Sequence, residues 1–290
     1  MSFLLTIRAS SIRVGYKQPC VKSKVFGILG MMKAEIGLST LFCLDRSFKT
    51  MIERVLETGI TSIEVVDEGL HTLNPKRVET LRTLAHSYKL KYSMHSPFAD
   101  INIASPSRPL LNAMIRRLKK SISYASDLDC QTWIFHPGLR TGISMFYPNR
   151  EWTQNIRTSL LLFHFAEDLG VDAAVENVPE PFPFVMKSVD DFSRFYSEIN
   201  EDIGLVLDIG HANINGQIES FLKTFREKIV HVHVHDNRGE HDEHLGIQHG
   251  NIEWQKVSSL LKRVPFNKTV VLESIEHVPE SLVRLRQLLA

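Results

Sequence analysis

Residues 203–235, IGLVLDIGHANINGQIESFLKTFREKIVHVHVH, hold two short apolar runs separated by a segment of helical period. The first run, IGLVLD (203–208), and the second, IVHVHV (229–234), are rich in β-branched residues and read as strands. Between them, residues 217–227 repeat their apolar positions at spacings of three and four, as a helix with one buried face does. A strand, a crossover helix and a second strand form a parallel pair, because two strands that run the same way need a long connection.

The same unit recurs in both directions. Upstream lie the candidate strands AEIGLS (34–39), TSIEVV (61–66), LKYSMH (90–95), QTWIFH (131–136) and VDAAVE (171–176), and downstream KTVVLES (268–274). Helical periodicity fills 47–58, 75–87, 108–127, 152–169, 189–199, 254–263 and 280–289. Eight strands and eight helices in about 255 residues, with no GxGxxG after the first strand, predict a single α/β domain over 33–290 that closes as a (β/α)8 TIM barrel rather than an open sheet. No Gly/Ser or Pro run divides it.

Composition narrows the function. The chain has 290 residues, 43% hydrophobic and 23% charged, which suits an ordinary globular protein. Its 34 basic and 33 acidic residues leave no basic surplus of the kind nucleic-acid binders often carry. Cys20, Cys43 and Cys130 form no CxxC pair, so neither a disulfide framework nor a thiolate zinc site is suggested, and a reducing, cytoplasmic setting is expected. No apolar run is long enough to span a bilayer. Residues 1–32 lack Asp and Glu but carry Arg8, Arg13, Lys17, Lys22 and Lys24; the expectation is a short N-terminal extension, either disordered or lying upstream of the true start at Met31 or Met32.

Chemistry in a TIM barrel collects where the strands end, and strand interiors are expected to be apolar. The third to eighth candidate strands end in or run into His95, His136, Glu176, Asp208, His233 and Glu273. Imidazole and carboxylate are the ligand types of divalent metals. Any one of these residues alone reads as a solvated loop group; six around one mouth without a counter-ion would cost several kcal/mol in repulsion and desolvation. His211 in DIGH, and Asp242 and His244 in HDEH, add ligand types in adjoining loops. His231 and His235 share a side with His233 by strand alternation and read as supporting or core histidines.

The motifs HSPFADINIAS, FHPG, AVEN, GLVLDIGHA, HVHDN, DEHLGIQHGNIEW and VVLES, in this order, resemble the xylose-isomerase-like TIM-barrel superfamily, which includes sugar and sugar-phosphate isomerases and epimerases and also endonuclease IV (AP endonuclease family 2). Resemblance to the endonuclease branch implies up to three zinc ions: His95, His136 and Glu176 at the first, Glu176, Asp208, His233 and Glu273 at the second, and His211, Asp242 and His244 at the third. Resemblance to the epimerase branch implies one Mn, Mg or Co ion on Glu176, Asp208, His233 and Glu273, with Glu176 and Glu273 as the catalytic proton-transfer pair. His211, Arg238 and Phe98 would then contact substrate.

Details outside the shared ligands favour the sugar branch. Asp67 and Glu68, which by themselves read as solvated loop residues, follow the second strand where the endonuclease has polar and basic residues, the sixth strand carries no cysteine, and HDNRGE lacks the endonuclease lysine. The survival of His95, His136, Asp242 and His244 together speaks for a multinuclear site. Gln248-His249-Gly250 replaces the usual Gly-Glu-Gly, which predicts a stiffer loop and a His249 that could face the substrate. The expected activity is a divalent-metal-dependent sugar (or sugar-phosphate) isomerase or epimerase, with an unphosphorylated substrate favoured, and the alternative is a zinc phosphodiesterase acting on abasic DNA or a smaller ester. Expected partners are a small carbohydrate and, as an open matter, a second copy of the chain; nucleic acid enters only under the alternative, and no membrane is expected.

Overall fold

The computed structural model describes residues 34–264 and 269–290. The expected N-terminal extension, Cys20 and the first residue of the eighth candidate strand lie outside the described residues.

The strands are β1 (Glu35–Ser39), β2 (Ser62–Val66), β3 (Lys91–His95), β4 (Trp133–Phe135), β5 (Ala173–Glu176), β6 (Gly204–Asp208), β7 (Ile229–Val234) and β8 (Thr269–Leu272). They pair in sequence order, every pair parallel, and β8 returns to β1 to close the barrel. The helices are α1 (Phe48–Glu57), α2 (Pro75–Tyr88), α3 (Arg108–Asp127), α4 (Arg150–Asp168), α5 (Val189–Glu198), α6 (Ile209–Ile214), α7 (Ile218–Thr224), α8 (Trp254–Leu261) and α9 (Val278–Leu289). Local chemistry fixes their starts: the Ser47 hydroxyl accepts from Thr50 N at 3.1 Å, Asn74 caps α2 just before Pro75, and Ser188 with Asp191 forms a capping box on α5. No described helix is long and apolar enough to cross a membrane. Cys43 and Cys130 are buried free thiols.

Helices and barrel wall bury one apolar layer between them. Trp133, Phe135, Leu118 and Ile122 are buried in it, and the indole of Trp133 donates to Ser121 Oγ at 3.1 Å. Inside the barrel the expectation of an apolar filling fails. Among the described residues, Ile134, Ala174 and Val206 form a small apolar cluster with Val230 against it, and buried Val271, which pairs with His233, shares the interior face. The interior also holds Glu64, Ser93, His231 and His233, all buried, with the Glu64 carboxylate bonded to the other three.

Period-two alternation explains the mouth. Two residues beyond interior Ile134, Ala174, Val206 and His231 stand His136, Glu176, Asp208 and His233 on the same face. Register sets Asp208 level with His233, while Glu176 pairs with Val206, one same-face step below Asp208. A register shift between Leu205 and Val206 leaves Val230 unpaired on β7.

Candidate active site: three groups of imidazoles and carboxylates at the barrel mouth

The ends of β5 and β6 are stitched by Asn177, whose Oδ1 accepts from Asp208 N at 2.7 Å while its Nδ2 donates to Asp208 O at 3.0 Å. Asp208 in turn caps α6, its Oδ1 accepting from His211 N at 2.6 Å. This six-residue helix is too short for periodicity to announce; its effect is to turn His211 back toward the strand ends.

Three groups of ligand-type atoms result. In the first, His95 Nε2 lies 3.2 Å from His136 Nε2 and 3.3 Å from Glu176 Oε2, and His136 Nε2 lies 3.2 Å from the same oxygen. In the second, His233 Nδ1 lies 3.0 Å from Glu176 Oε1, 3.6 Å from Glu273 Oε2 and 3.9 Å from Asp208 Oδ2. In the third, Asp242 Oδ2 lies 3.3 Å from the Nε2 atoms of both His211 and His244, and His235 Nε2 lies 3.5 Å from Asp242 Oδ1. Ligand atoms 2.0–2.1 Å from one tetrahedral zinc stand roughly 3.3 Å apart, so the shortest of these spacings, which are also those of hydrogen bonds, are compatible with shared coordination.

Tautomers point the same way. His95 Nδ1 lies 2.8 Å from Ser96 O, His211 Nδ1 2.8 Å from Asn177 O and His244 Nδ1 3.1 Å from Glu273 O. A carbonyl can only accept, so each Nδ1 donates and each Nε2 turns its lone pair into the group. A lone pair facing a carboxylate, or another imidazole, calls for a proton or a metal ion between them.

Charge balance calls for protons or a cation among these groups. Burial would lower His95, but the hydrogen-bonded Glu176 carboxylate, with Glu273 and Glu64, brings it up to about 9. Burial likewise opposes, and Asp208 and Asp242 outweigh it, to hold His211 well above the ordinary imidazole range. His136 goes the other way because its burial outweighs Glu176. The two catalytic candidates separate. Burial would raise Glu176, yet His233 and the bonds from His136 and His95 hold it well below the usual carboxylate range. Glu273 is raised by burial against the pull of His233, with the Glu176 and Glu64 charges adding to the rise. Asp208 Oδ2, Asp242 Oδ1 and His235 Nε2 are buried without a hydrogen-bond partner among the described residues. Unsatisfied carboxylate oxygens and imidazole nitrogens facing one another fit a divalent ion.

Two residues of the site escaped the sequence. Glu64, in the middle of β2, places its carboxylate 3.1 Å from His233 Nε2, 3.0 Å from His231 Nε2 and 3.1 Å from Ser93 Oγ. Alternation in TSIEVV marks it only as a charged residue in a strand. His235, read as a supporting residue, stands one position beyond β7 within the third group. Phe98 packs edge-on to His95 at 5.4 Å between ring centroids, and Phe184 edge-on to His136 at 5.9 Å.

Other expectations are redirected. The Arg238 guanidinium is exposed and held by Glu243 in its own loop. His249 stacks on His277 at 4.1 Å, beside Glu280 at the start of α9, and belongs to none of the three groups. Asp67 is no solvated loop residue: it is fully buried and grips Arg117 through two 2.8 Å bonds. Glu68 accepts from Phe98 N and Ala99 N, each at 3.0 Å, and so shapes the loop that presents Phe98. The stiffening expected of Gln248 takes the form of a left-handed backbone, φ 67°, with its N–H bonded to Asp236 Oδ2.

Residues 52–288 match the family model described as Xylose isomerase-like TIM barrel. Uncharacterized protein MJ1311 of Methanocaldococcus jannaschii is 29% identical over 248 residues, which span 84% of this chain and 85% of that protein. A crystal structure of a D-tagatose 3-epimerase-like protein superposes with a TM-score of 0.82 at 29% identity, covering 88% of this chain and 97% of the other. D-psicose 3-epimerase from Clostridium cellulolyticum H10, solved with D-tagatose, shares the fold with a TM-score of 0.73 at 16% identity, over 88% of this chain and 99% of its own.

Proposed function

Because the chain belongs to the xylose isomerase-like TIM-barrel family, we propose that it is a divalent-metal-dependent isomerase or epimerase of a small sugar, with Glu176 and Glu273 as its proton-transfer pair. The observation that carries this reading is the convergence of two carboxyls on one imidazole: His233 Nδ1 lies 3.0 Å from Glu176 Oε1 and 3.6 Å from Glu273 Oε2. One base and one acid are what removal and return of a proton beside a carbonyl require. The epimerases among the solved neighbours support the substrate class.

Glu176, Asp208, His233 and Glu273 would hold the ion, which would supply the Lewis acidity that acidifies the C–H beside the carbonyl of an open-chain sugar. Glu176 takes that proton, and Glu273 returns one to the other side of the carbon. Phe98 and Phe184 offer apolar ring faces and edges to the sugar's C–H surface. The test is exchange of substrate C–H for deuterium in D2O and epimer interconversion across a panel of ketoses and aldoses: the wild type exchanges and interconverts a substrate, whereas Glu273→Gln does not interconvert it. Wild-type turnover by Glu273→Gln rejects the pair.

The first group favours a second reading, since a one-ion sugar enzyme has no need of His95 and His136 with Nε2 atoms 3.2 Å apart. That reading is a multinuclear zinc phosphodiesterase. An abasic oligonucleotide left intact under saturating zinc removes it.

A further inference from the structure

We propose that His235 is a metal ligand, and that with His211, Asp242 and His244 it forms a closed four-ligand site for a zinc-class ion that is structural rather than catalytic. The inference rests on the metal-dependent reading of the barrel mouth but not on the reaction. Sequence resemblance supplies three of these residues; the structure supplies the fourth, and the fourth changes what the site can do.

Three observations converge on His235. It is fully buried, and its Nε2 has no hydrogen-bond partner among the described residues although it lies 3.5 Å from Asp242 Oδ1, which is also without one. Its ring stacks on His244 at 4.0 Å between centroids, and its Nδ1 lies 3.4 Å from Asp236 O, which turns Nε2 toward the group. Gly210 makes room for it: a Cβ there would stand 2.1 Å from His235 Cε1 and 2.3 Å from Nε2. The glycine of DIGHA thus admits this imidazole at the turn that also places His211.

Ligand chemistry follows from the set. Three imidazoles and one carboxylate suit tetrahedral zinc or cobalt and are poor for magnesium or calcium, which prefer oxygen. Catalytic zinc sites keep one position open for water or substrate, whereas four protein ligands close the tetrahedron. Asp208 Oδ1 accepts from His211 N and also lies 3.3 Å from His235 Nε2, so the ring faces carboxylates on both sides. An ion here ties α6 to the loop after β7, in which Asp236 bridges to Leu245 and His244 adopts φ 49°. It holds that loop beside the Glu176 and Glu273 pair without touching substrate.

The experiment is titration of metal-free full-length protein with Co(II), read by visible absorption and by bound metal per chain. Tetrahedral Co(II) absorbs far more intensely than the five- or six-coordinate ion. The wild type is expected to show the intense band, and His235→Ala to lose it together with about one ion per chain. Gly210→Ala, which keeps every ligand but crowds the ring, should lose the band as well. No intense band in the folded wild type, or an undiminished band in His235→Ala, overturns the proposal. Glu273→Ala separates the two readings: it lowers the metal count while the intense band persists, and an unchanged count counts against the catalytic site instead.

Discussion

Replacing Glu64 by Gln tests whether the barrel interior tunes the metal ligands above it. The carboxylate is fully buried and serves two imidazoles and one hydroxyl, at 3.1 Å from His233 Nε2, 3.0 Å from His231 Nε2 and 3.1 Å from Ser93 Oγ. Burial would raise it, but His233 and the bonds from His231 and His233 keep it well below the carboxylate range, so it acts as an anion. It therefore fixes the hydrogen of His233 on Nε2 and leaves Nδ1 to face Glu176 and Glu273. Gln keeps the shape but loses the charge, and its amide nitrogen cannot accept from the second imidazole. A hydrogen bond to a charged group is worth about 1.5–3 kcal/mol. At 1.4 kcal/mol per decade that is roughly a tenfold to hundredfold loss of metal affinity, the range seen when a partner of a metal-bound histidine is removed. Competition with a chelator at fixed pH measures it, with thermal unfolding of the metal-free proteins as control. Equal affinity in a Glu64→Gln protein that is folded would refute the reasoning.

Two further outcomes follow from buried charge. Arg117→Met strands Asp67, which is fully buried while the Arg117 side chain is 27% exposed, so the cost is expected near the low end for a broken buried pair, about 3 kcal/mol by urea unfolding. A loss under about 1 kcal/mol, typical of exposed pairs, would show that the pair is not buried in effect. His95 governs pH dependence: its folded value of about 9 lies above its ordinary 6.5, so its stabilisation of the metal-free protein is full below 6.5 and disappears as pH rises through 9. An ion bound by His95, His136 and Glu176 would displace the same proton, so apparent affinity at that group should climb over that window, with proton release at pH 7 detected by calorimetry in buffers of different ionisation enthalpy. Flat affinity from pH 6.5 to 9 would sink this.

What the chain determines by itself is local and periodic. The alternation in IGLVLD and IVHVHV, the three-and-four spacing of the helices and the caps at Ser47, Asn74 and Ser188 depend on neighbours a few residues away, and they locate all eight strands to within two residues at either end. His95, His136, Glu176, Asp208, His233 and Glu273 were visible for the same reason, since strand ends in a barrel converge on one face. Glu64 was not, because its partners lie 167 and 169 positions away, and only closure of the barrel brings them to one carboxylate. His235 needed the turn of α6 and the missing side chain of Gly210. Asp67 and His249 read as a solvated residue and a substrate-facing one until packing gave each a partner, Arg117 from α3 and His277 before α9. Burial, which sets whether such a group is a ligand, a strut or a solvated charge, comes from contacts between distant segments, and no local pattern encodes it.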